Sequence, residues 1–535
     1  MAYFPVTPSG ARTEESRPSR DFGWPLFAAA LSVVVVVAIT VAVASGHTAG
    51  AFVYPVDDAY IHLAAARRFV ASGDRTFLAA SSSIVWPWIL IIFRWIGVTD
   101  LAPLLVNIAA AIALFFVVEH ALRSRAASPT IANHQTWRTP LTALLVLLLV
   151  PIVPLVLSGM EHTAHACVVL ALAMSATRSL ARNTPIDLRI LGLAALAVAF
   201  RYESFFVIAA LGALLLHARR LRDAVVLGTA AALPAIVRGV WAMTRAEPFF
   251  PVPVLLKRTQ LDLFALPAKV YYRLIDNPHV LVVLALLAFA WTFEKRSEAS
   301  DPPRRERRAL VLVALTTLGL QTTFAQLGWF YRYEAYALLL ALVTLAICAA
   351  AHRATIRAFA IPLALLALPV VGRAAGSFRT TVFASENIFD QEMQMAAFIH
   401  SFYEHHAVAL NDIGAVAYVN DVTIVDLMGL ASPRVARARG MRIDGPLSAS
   451  NIAAITHDEN VDVAILYDDW FAGSLPSEWR KVGSWQITNN HVCAKDTVSF
   501  YATSAQQESI LIENLRTFAP RLPPSVKQSG AYLLE

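Results

Sequence analysis

Val56-Asp57-Asp58-Ala59-Tyr60-Ile61-His62 stands a short way beyond residues 24–45, an apolar run that carries no charge. A helix needs about 20 mostly apolar residues to cross the hydrocarbon of a bilayer. The run therefore reads as a membrane span, and the two carboxylates mark its exit. Its apolar core is longer than the 7–15 residues of a signal peptide. It is read as an uncleaved anchor preceded by a polar cytoplasmic tail, residues 1–23, despite Ala44-Ser45-Gly46 at its end.

Comparable runs recur near 83–97, 101–118, 140–157, 162–177, 190–200, 204–217, 224–237, 279–293, 309–324, 335–351 and 358–372. The expectation is about 11–12 transmembrane helices within residues 24–372. Composition agrees: of 535 residues 57% are hydrophobic and 15% charged, with a mean hydropathy of +0.56, whereas soluble chains run near 25% charged. A soluble enzyme is excluded. Residues 1–372 carry 32 Lys and Arg against 20 Asp and Glu, and residues 373–535 carry 12 against 18. The surplus of positive charge thus belongs to the loops of a membrane part, not to a nucleic-acid surface. Cys167 and Cys348 lie in apolar runs and Cys493 stands alone, which supplies neither a disulfide framework nor a thiolate zinc site.

Basic residues mark the cytoplasmic side of a membrane protein. Here they are Arg12, Arg17 and Arg20; Arg123, Arg125 and Arg138; Arg178, Arg182 and Arg189; Arg219, Arg220 and Arg222; residues 295–308; and His352, Arg353 and Arg357. The outward side then receives Asp57-Asp58, Met160-Glu161-His162, Arg201-Tyr202-Glu203, residues 245–278, Tyr331-Arg332-Tyr333-Glu334 and the tail. Parity prevents 83–97 and 101–118 from both being full spans. The two runs within 190–217 each reach only about 20 Å, so a hairpin is expected, turning at Arg201-Tyr202-Glu203 below the outer surface. The tail, residues 373–535, reads as a soluble extracytoplasmic α/β domain. Strands are expected at Ala407–Leu410, Val422–Val425 and Val461–Leu466, and helices at Asn387–Tyr403 and Gln507–Phe518.

Ile61, Ala65 and Phe69 share one face of a helix after the two carboxylates. Asp57 either caps this helix or acts as a base or ligand of a divalent ion. Adjacent side chains diverge, so at most one of the pair does chemistry, and Asp57, ahead of the helix, is expected to be that one before Asp58. Glu161, His162, Arg201, Glu203, Arg332 and Glu334 sit at span ends or turns in apolar sequence. A charge there costs at least about 2.5 kcal/mol at the bilayer centre, so these groups form ion pairs or share an outward cavity. Lys257 and Arg258 add cations. No phosphate-binding glycine loop, His-Glu-x-x-His zinc motif or nucleophile elbow is present, and no nucleotide cofactor is expected.

Seven stretches, in order along nearly the whole chain, resemble one family, the bacterial membrane glycosyltransferases of the GT-C superfamily. Asp57-Asp58-Ala59-Tyr60-Ile61 resembles their Asp-Asp-Ala-Tyr-Ile. Ser81-Ser82-Ser83-Ile84-Val85-Trp86 is similar to their Ser-Pro-Leu-Trp, and Ser158-Gly159-Met160-Glu161 to their Gly-Met-Glu. Arg201-Tyr202-Glu203 resembles Arg-Pro-Glu, with Tyr202 in place of proline. Pro251-Val252-Pro253 through Lys257 resembles Pro-x-Pro-Asn-Thr-x-x-x-Lys without the Asn-Thr. Trp329 through Arg332 is similar to Trp-Met-Pro-x-x-Arg, and Asp426-Leu427-Met428-Gly429-Leu430-Ala431-Ser432-Pro433 to Asp-Leu-Leu-Gly-Leu-x-Asp-Pro. In layout the chain most resembles the mycobacterial terminal arabinofuranosyltransferases.

The resemblance implies a polyprenyl-phosphate sugar donor, arabinofuranose or a hexose such as mannose as the sugar, and an acceptor glycan, lipid or protein at the outer face of a bacterial cytoplasmic membrane. Asp57 would deprotonate the acceptor or hold a metal, and Arg332, Lys257 and Arg201 would bind the donor phosphate. Two rivals remain. A transporter or flippase of lipid-linked sugars predicts inverted half-sequences, and none is visible. A non-catalytic scaffold predicts that the outer charges can be changed freely.

Overall fold

The computed structural model describes residues 23–124, 137–245, 247–256, 262, 264–296, 301–442 and 445–533. Helices occupy the apolar runs. Among the described residues five are long and apolar enough to cross a membrane: Gly23–His47, Ala102–Arg123, His162–Ala181, Leu221–Met243 and Pro278–Lys295. Ala360–Leu366 and Leu368–Phe402, bent by 46° at their junction, make a sixth if taken as one span. Other apolar runs form shorter or broken helices, among them Leu188–Phe200, Tyr202–His217 and Ala335–Ala351. Residues 83–97 yield only Trp86–Trp95, and 140–157 divides into Arg138–Leu149 and Ile152–Leu157. Pro151, which precedes the second piece, has a φ of +26°. The parity argument is met, since at 1.5 Å per residue Trp86–Trp95 rises only about 15 Å. The hairpin is also present: Leu188–Phe200 and Phe205–His217 flank a single 3-10 turn at Tyr202–Ser204.

The charges gather at two ends of the bundle. At one, Arg178 pairs with Glu306, Arg220 donates to the carbonyl of Thr184, and Glu294 meets both Arg307 and His352. At the other are Asp58, Arg201, Glu203 and Arg332.

No break separates the helices from the tail. Leu368–Ile388 runs through a π turn, Phe389–Met393, into Gln394–Phe402, so the expected boundary at residue 373 falls inside a continuous helix. Six strands follow in one sheet: β1 (Ala407–Leu410), β2 (Thr423–Asp426), β3 (Val461–Leu466), β4 (Arg480–Gln486), β5 (Thr497–Ala502) and β6 (Lys527–Gly530), in the order β2-β1-β3-β5-β4-β6. The β2-β1-β3 half is parallel and the remainder antiparallel. Strands β1 and β3 match the expected segments and β2 is shifted by one residue. The helix Ala505–Phe518 closes over the sheet, with Leu511, Leu515 and Phe518 buried.

The sheet domain docks on the helix Asp58–Ser72. Tyr60, Ile61, Leu63 and Ala64 are buried in a core that also contains Ile413, Ala415 and Val416. Arg67 donates to the carbonyls of Ala417 and Asn420, and Arg68 to that of Val422 at 3.0 Å. This amphipathic helix therefore packs its apolar face against the tail.

Candidate active site

Asp57 and Asp58 sit at the start of one helix and serve different surroundings. The Asp57 side chain makes no capping bond to its own helix. Its carboxylate accepts from the backbone N–H of Gly414 at 2.6 Å and of Ala415 at 2.7 Å, the first residues of Gly414–Val419 in the tail. Thus it caps a helix in the other half of the molecule. Gly414 cannot carry a side chain, because a Cβ would lie 2.2 Å from the Asp57 carbonyl oxygen and 2.5 Å from Oδ2. Asp57 is 8% exposed. Burial raises its carboxyl to about 6, against the lowering effect of the Asp412 hydrogen bond and of the two N–H groups. Burial, and after it the nearby Glu392 and Asp57, push Asp412 upward.

Asp58 points to the bundle. Its side chain is 35% exposed and pairs with Arg332 Nη2. Both line a cavity of about 270 Å³ with His162, Arg201, Glu203 and Arg273. Asp57, expected to be the reacting carboxylate ahead of Asp58, does not line this cavity: its oxygens meet the tail's N–H groups, and Asp58 stands at the cavity wall.

The motif positions assemble this wall by backbone contacts. Gly159 has a φ of +67°, and a Cβ there would come within 2.7 Å of the Ala59 Cβ and 2.8 Å of the Tyr54 ring. A glycine is therefore needed where this turn meets the carboxylate-bearing helix. Ser81 and Ser83 bond one another, and the N–H of Ile84 donates to the Ala199 carbonyl at 2.9 Å, just before Arg201. Arg201 is held by two acids, Nη1 to Glu161 at 2.7 Å and Nη2 to Glu203 at 2.7 Å. Glu161 is fully buried and braces Arg201 from behind, outside the cavity lining.

Gly328, Trp329, Phe330 and Tyr331 have φ values of +78°, +37°, +53° and +64°. Four successive left-handed residues, three of them with side chains, are costly. Glu334 stabilises the turn by accepting from the Gly328 N–H at 2.7 Å, and it also pairs with Arg373 and His279. Glu334 is thus a brace for the segment presenting Arg332, and its expected place among the cavity groups is corrected.

Arg332 spends Nη2 on Asp58, while its buried Nε and Nη1, like both ring nitrogens of buried His162, meet no hydrogen-bond partner among the described residues. Both Arg332 and Arg201 face the Tyr333 ring, at 5.4 and 5.9 Å. The cavity is lined by two guanidinium groups, Arg201 and Arg332, and by a half-exposed carboxylate, Asp58, a combination suited to holding an anionic group beside a base.

Arg273 was not among the expected residues. It sits on Leu266–Asp276 and donates to the carbonyls of Thr322 and Thr323 at 2.8 and 2.9 Å. Lys257 and Arg258 lie outside the described residues. A divalent ion does not fit the expected position. The Asp57 oxygens are engaged by backbone N–H groups, and among the described residues no three His, Cys, Asp or Glu side chains are placed to hold a metal.

Comparisons with known proteins bear on the fold. A family model described as a domain of unknown function, DUF8728, matches residues 386–501. No curated protein matches the chain by sequence. Among solved structures the chain is similar to ArnT from Cupriavidus metallidurans bound to undecaprenyl phosphate, at 13% identity over 91% of this chain and 99% of that one, with a TM-score of 0.52. It is likewise similar to the apo state of ArnT, at 13% identity, 90% and 99% coverage and a TM-score of 0.51. The chain thus shares the fold of ArnT over most of its length, with apolar helices long enough to cross a membrane and a C-terminal domain built on a small mixed sheet.

Proposed function

We propose that the protein is a membrane glycosyltransferase that moves a sugar from a polyprenyl-phosphate donor to an acceptor hydroxyl of a glycan, lipid or protein. The observation that carries this reading is the cavity in which Asp58 stands beside Arg332, whose Nε and Nη1 are buried without partners among the described residues. The undecaprenyl phosphate bound by the structurally similar ArnT supports a lipid-linked donor. The motif resemblance supports arabinofuranose or a hexose such as mannose as the sugar, with the soluble domain outside a bacterial cytoplasmic membrane.

In this reading the donor phosphate meets Arg332 and Arg201, and Asp58 takes the acceptor proton. The acceptor oxygen bonds to the anomeric carbon as the bond from that carbon to the phosphate oxygen breaks, releasing polyprenyl phosphate as the anion. The direct displacement inverts the anomeric centre. Glu203 and Glu161 keep Arg201 oriented, and the Glu334 clamp does the same for Arg332. The isoprenoid tail is given to a neighbouring apolar cavity of about 550 Å³ lined by Trp88, Leu233, Val237 and Trp241. Ser81 and Ser83 face that cavity while Ser82 faces the first, so one short segment separates the tail from the phosphate.

The test is incubation of purified protein with a panel of polyprenyl-phosphate sugars. Release of free polyprenyl phosphate, dependent on an added acceptor, supports the reading. Acceptor-independent movement of intact donor between leaflets would favour a flippase instead.

A further inference from the structure

A third cavity, of about 470 Å³, lies between Ala102–Arg123, His162–Ala181 and Leu188–Phe200 at the ends remote from the candidate active site. Its position follows from one helix. His162 lines the first cavity and starts a 20-residue helix, and Arg178, near its end, lines this one. At 1.5 Å per residue the two lie about 24 Å apart along the helix, most of one hydrocarbon thickness.

The walls and the rim differ in character. Phe116, Val117, Met174 and Ile190 form apolar walls, and Phe116 is 42% exposed, so the wall continues onto the lipid-facing surface. His120, Arg178, Arg182 and Arg189 supply cationic or protonatable groups. Arg178 is engaged, donating to Ser124 Oγ at 3.0 Å and lying 3.5 Å from Glu306. Arg182 and Arg189 are exposed and form no ion pair among the described residues. The acid lining the cavity is Asp187, and its carboxylate accepts from the Ile190 N–H at 2.9 Å as a helix cap.

We propose that this cavity binds an anionic phospholipid of the leaflet opposite the soluble domain. Its phosphodiester lies between Arg182 and Arg189, and an acyl chain runs along Phe116 and Met174. Two guanidiniums without carboxylates select net negative charge, and the one acid, already used as a cap, leaves little to attract the ammonium of a zwitterionic headgroup. The apolar wall distinguishes a lipid from a free anion. The site is separate from the proposed donor site and does not depend on transfer activity.

Native mass spectrometry of the detergent-solubilised full chain, titrated with dioleoylphosphatidylglycerol or dioleoylphosphatidylcholine, tests it. The wild type should retain the anionic lipid in roughly tenfold preference, with millimolar inorganic phosphate failing to displace it. Arg182→Gln/Arg189→Gln, both at exposed positions, should abolish the preference. Phe116→Ser, which leaves the charges in place, should weaken retention of the anionic lipid. Equal retention by the double variant, or displacement of the lipid by phosphate, would overturn the proposal.

Discussion

Gly414→Ala should uncouple the soluble domain from the helix that bears the two carboxylates. The new Cβ would stand 2.2 Å from the Asp57 carbonyl oxygen, 2.5 Å from its Oδ2 and 2.6 Å from its Cγ. The nearest of these is a backbone atom and cannot swing aside. Restoring ordinary contact requires the helix Gly414–Val419 to retreat by about 1 Å, which stretches hydrogen bonds now at 2.6 and 2.7 Å beyond bonding range. Overpacking costs about 1–3 kcal/mol, and hydrogen bonds to a charged group contribute about 1.5–3 kcal/mol each. The two stretched hydrogen bonds alone remove roughly 3–6 kcal/mol from docking. The assay is limited proteolysis of the tail in nanodiscs, with Gly212→Ala as the control, since a Cβ at Gly212 meets nothing within 4 Å. Gly414→Ala should be cut far faster than the control. Truncating the acid as well, in Asp57→Ala/Gly414→Ala, should not restore protection, because the carbonyl oxygen remains. Protection equal to the control, or rescue by the double change, would refute the reasoning.

Arg332→Lys keeps the charge but loses the planar fork and the donors that Nε and Nη1 supply. Turnover should fall at least about tenfold with weaker donor binding, and unchanged kcat and KM would reduce Arg332 to a membrane anchor. Gly159→Ala should destabilise the folded protein by about 1–3 kcal/mol, read as a lower Tm, because its Cβ would press on Ala59 and Tyr54 at an unfavourable φ. Asp57 titrates near 6 against an ordinary 3.8 because burial disfavours its charge. Its folded pKa is raised, so its contribution to stability is complete below about pH 4 and is lost as pH rises through 6. Between pH 5 and 7 the wild-type Tm should therefore fall relative to that of Asp57→Asn. A constant difference across that range would remove the buried-carboxylate argument.

What was legible in the sequence divides along physical lines. Strands β1 and β3 were found because they lie inside the sheet and read as short apolar runs, Ala407–Leu410 and Val461–Leu466. Strand β6 is an edge strand with Lys527 exposed, and β4, although paired on both sides, interrupts its buried Val482 and Trp485 with exposed Arg480, Lys481 and Gln486, so neither leaves an apolar run to notice. Hydropathy located the apolar runs but did not register where a helix stops at Pro151 or bends at Ala367. Of the residues singled out by the motifs, Asp58, His162, Arg201, Glu203 and Arg332 meet in one cavity. Choosing between Asp57 and Asp58 was beyond the sequence, since the deciding contact comes from Gly414, 357 positions away. Arg273 was missed for a similar reason, its anchoring carbonyls being supplied by a different helix.

The central claim is that Asp58, not its neighbour, removes the acceptor proton. Single-turnover transfer from a polyprenyl-phosphate sugar should be measured for Asp58→Asn and Asp57→Asn, each matched for folded yield and donor binding. Loss of a general base costs 10²–10⁴-fold, so Asp58→Asn should be slower than the parent by at least about a hundredfold, whereas Asp57→Asn should remain within about tenfold, since it loses a domain contact and not the base. A folded, donor-binding Asp58→Asn that transfers sugar at the parental rate, or an Asp57→Asn that alone is dead, would contradict the account.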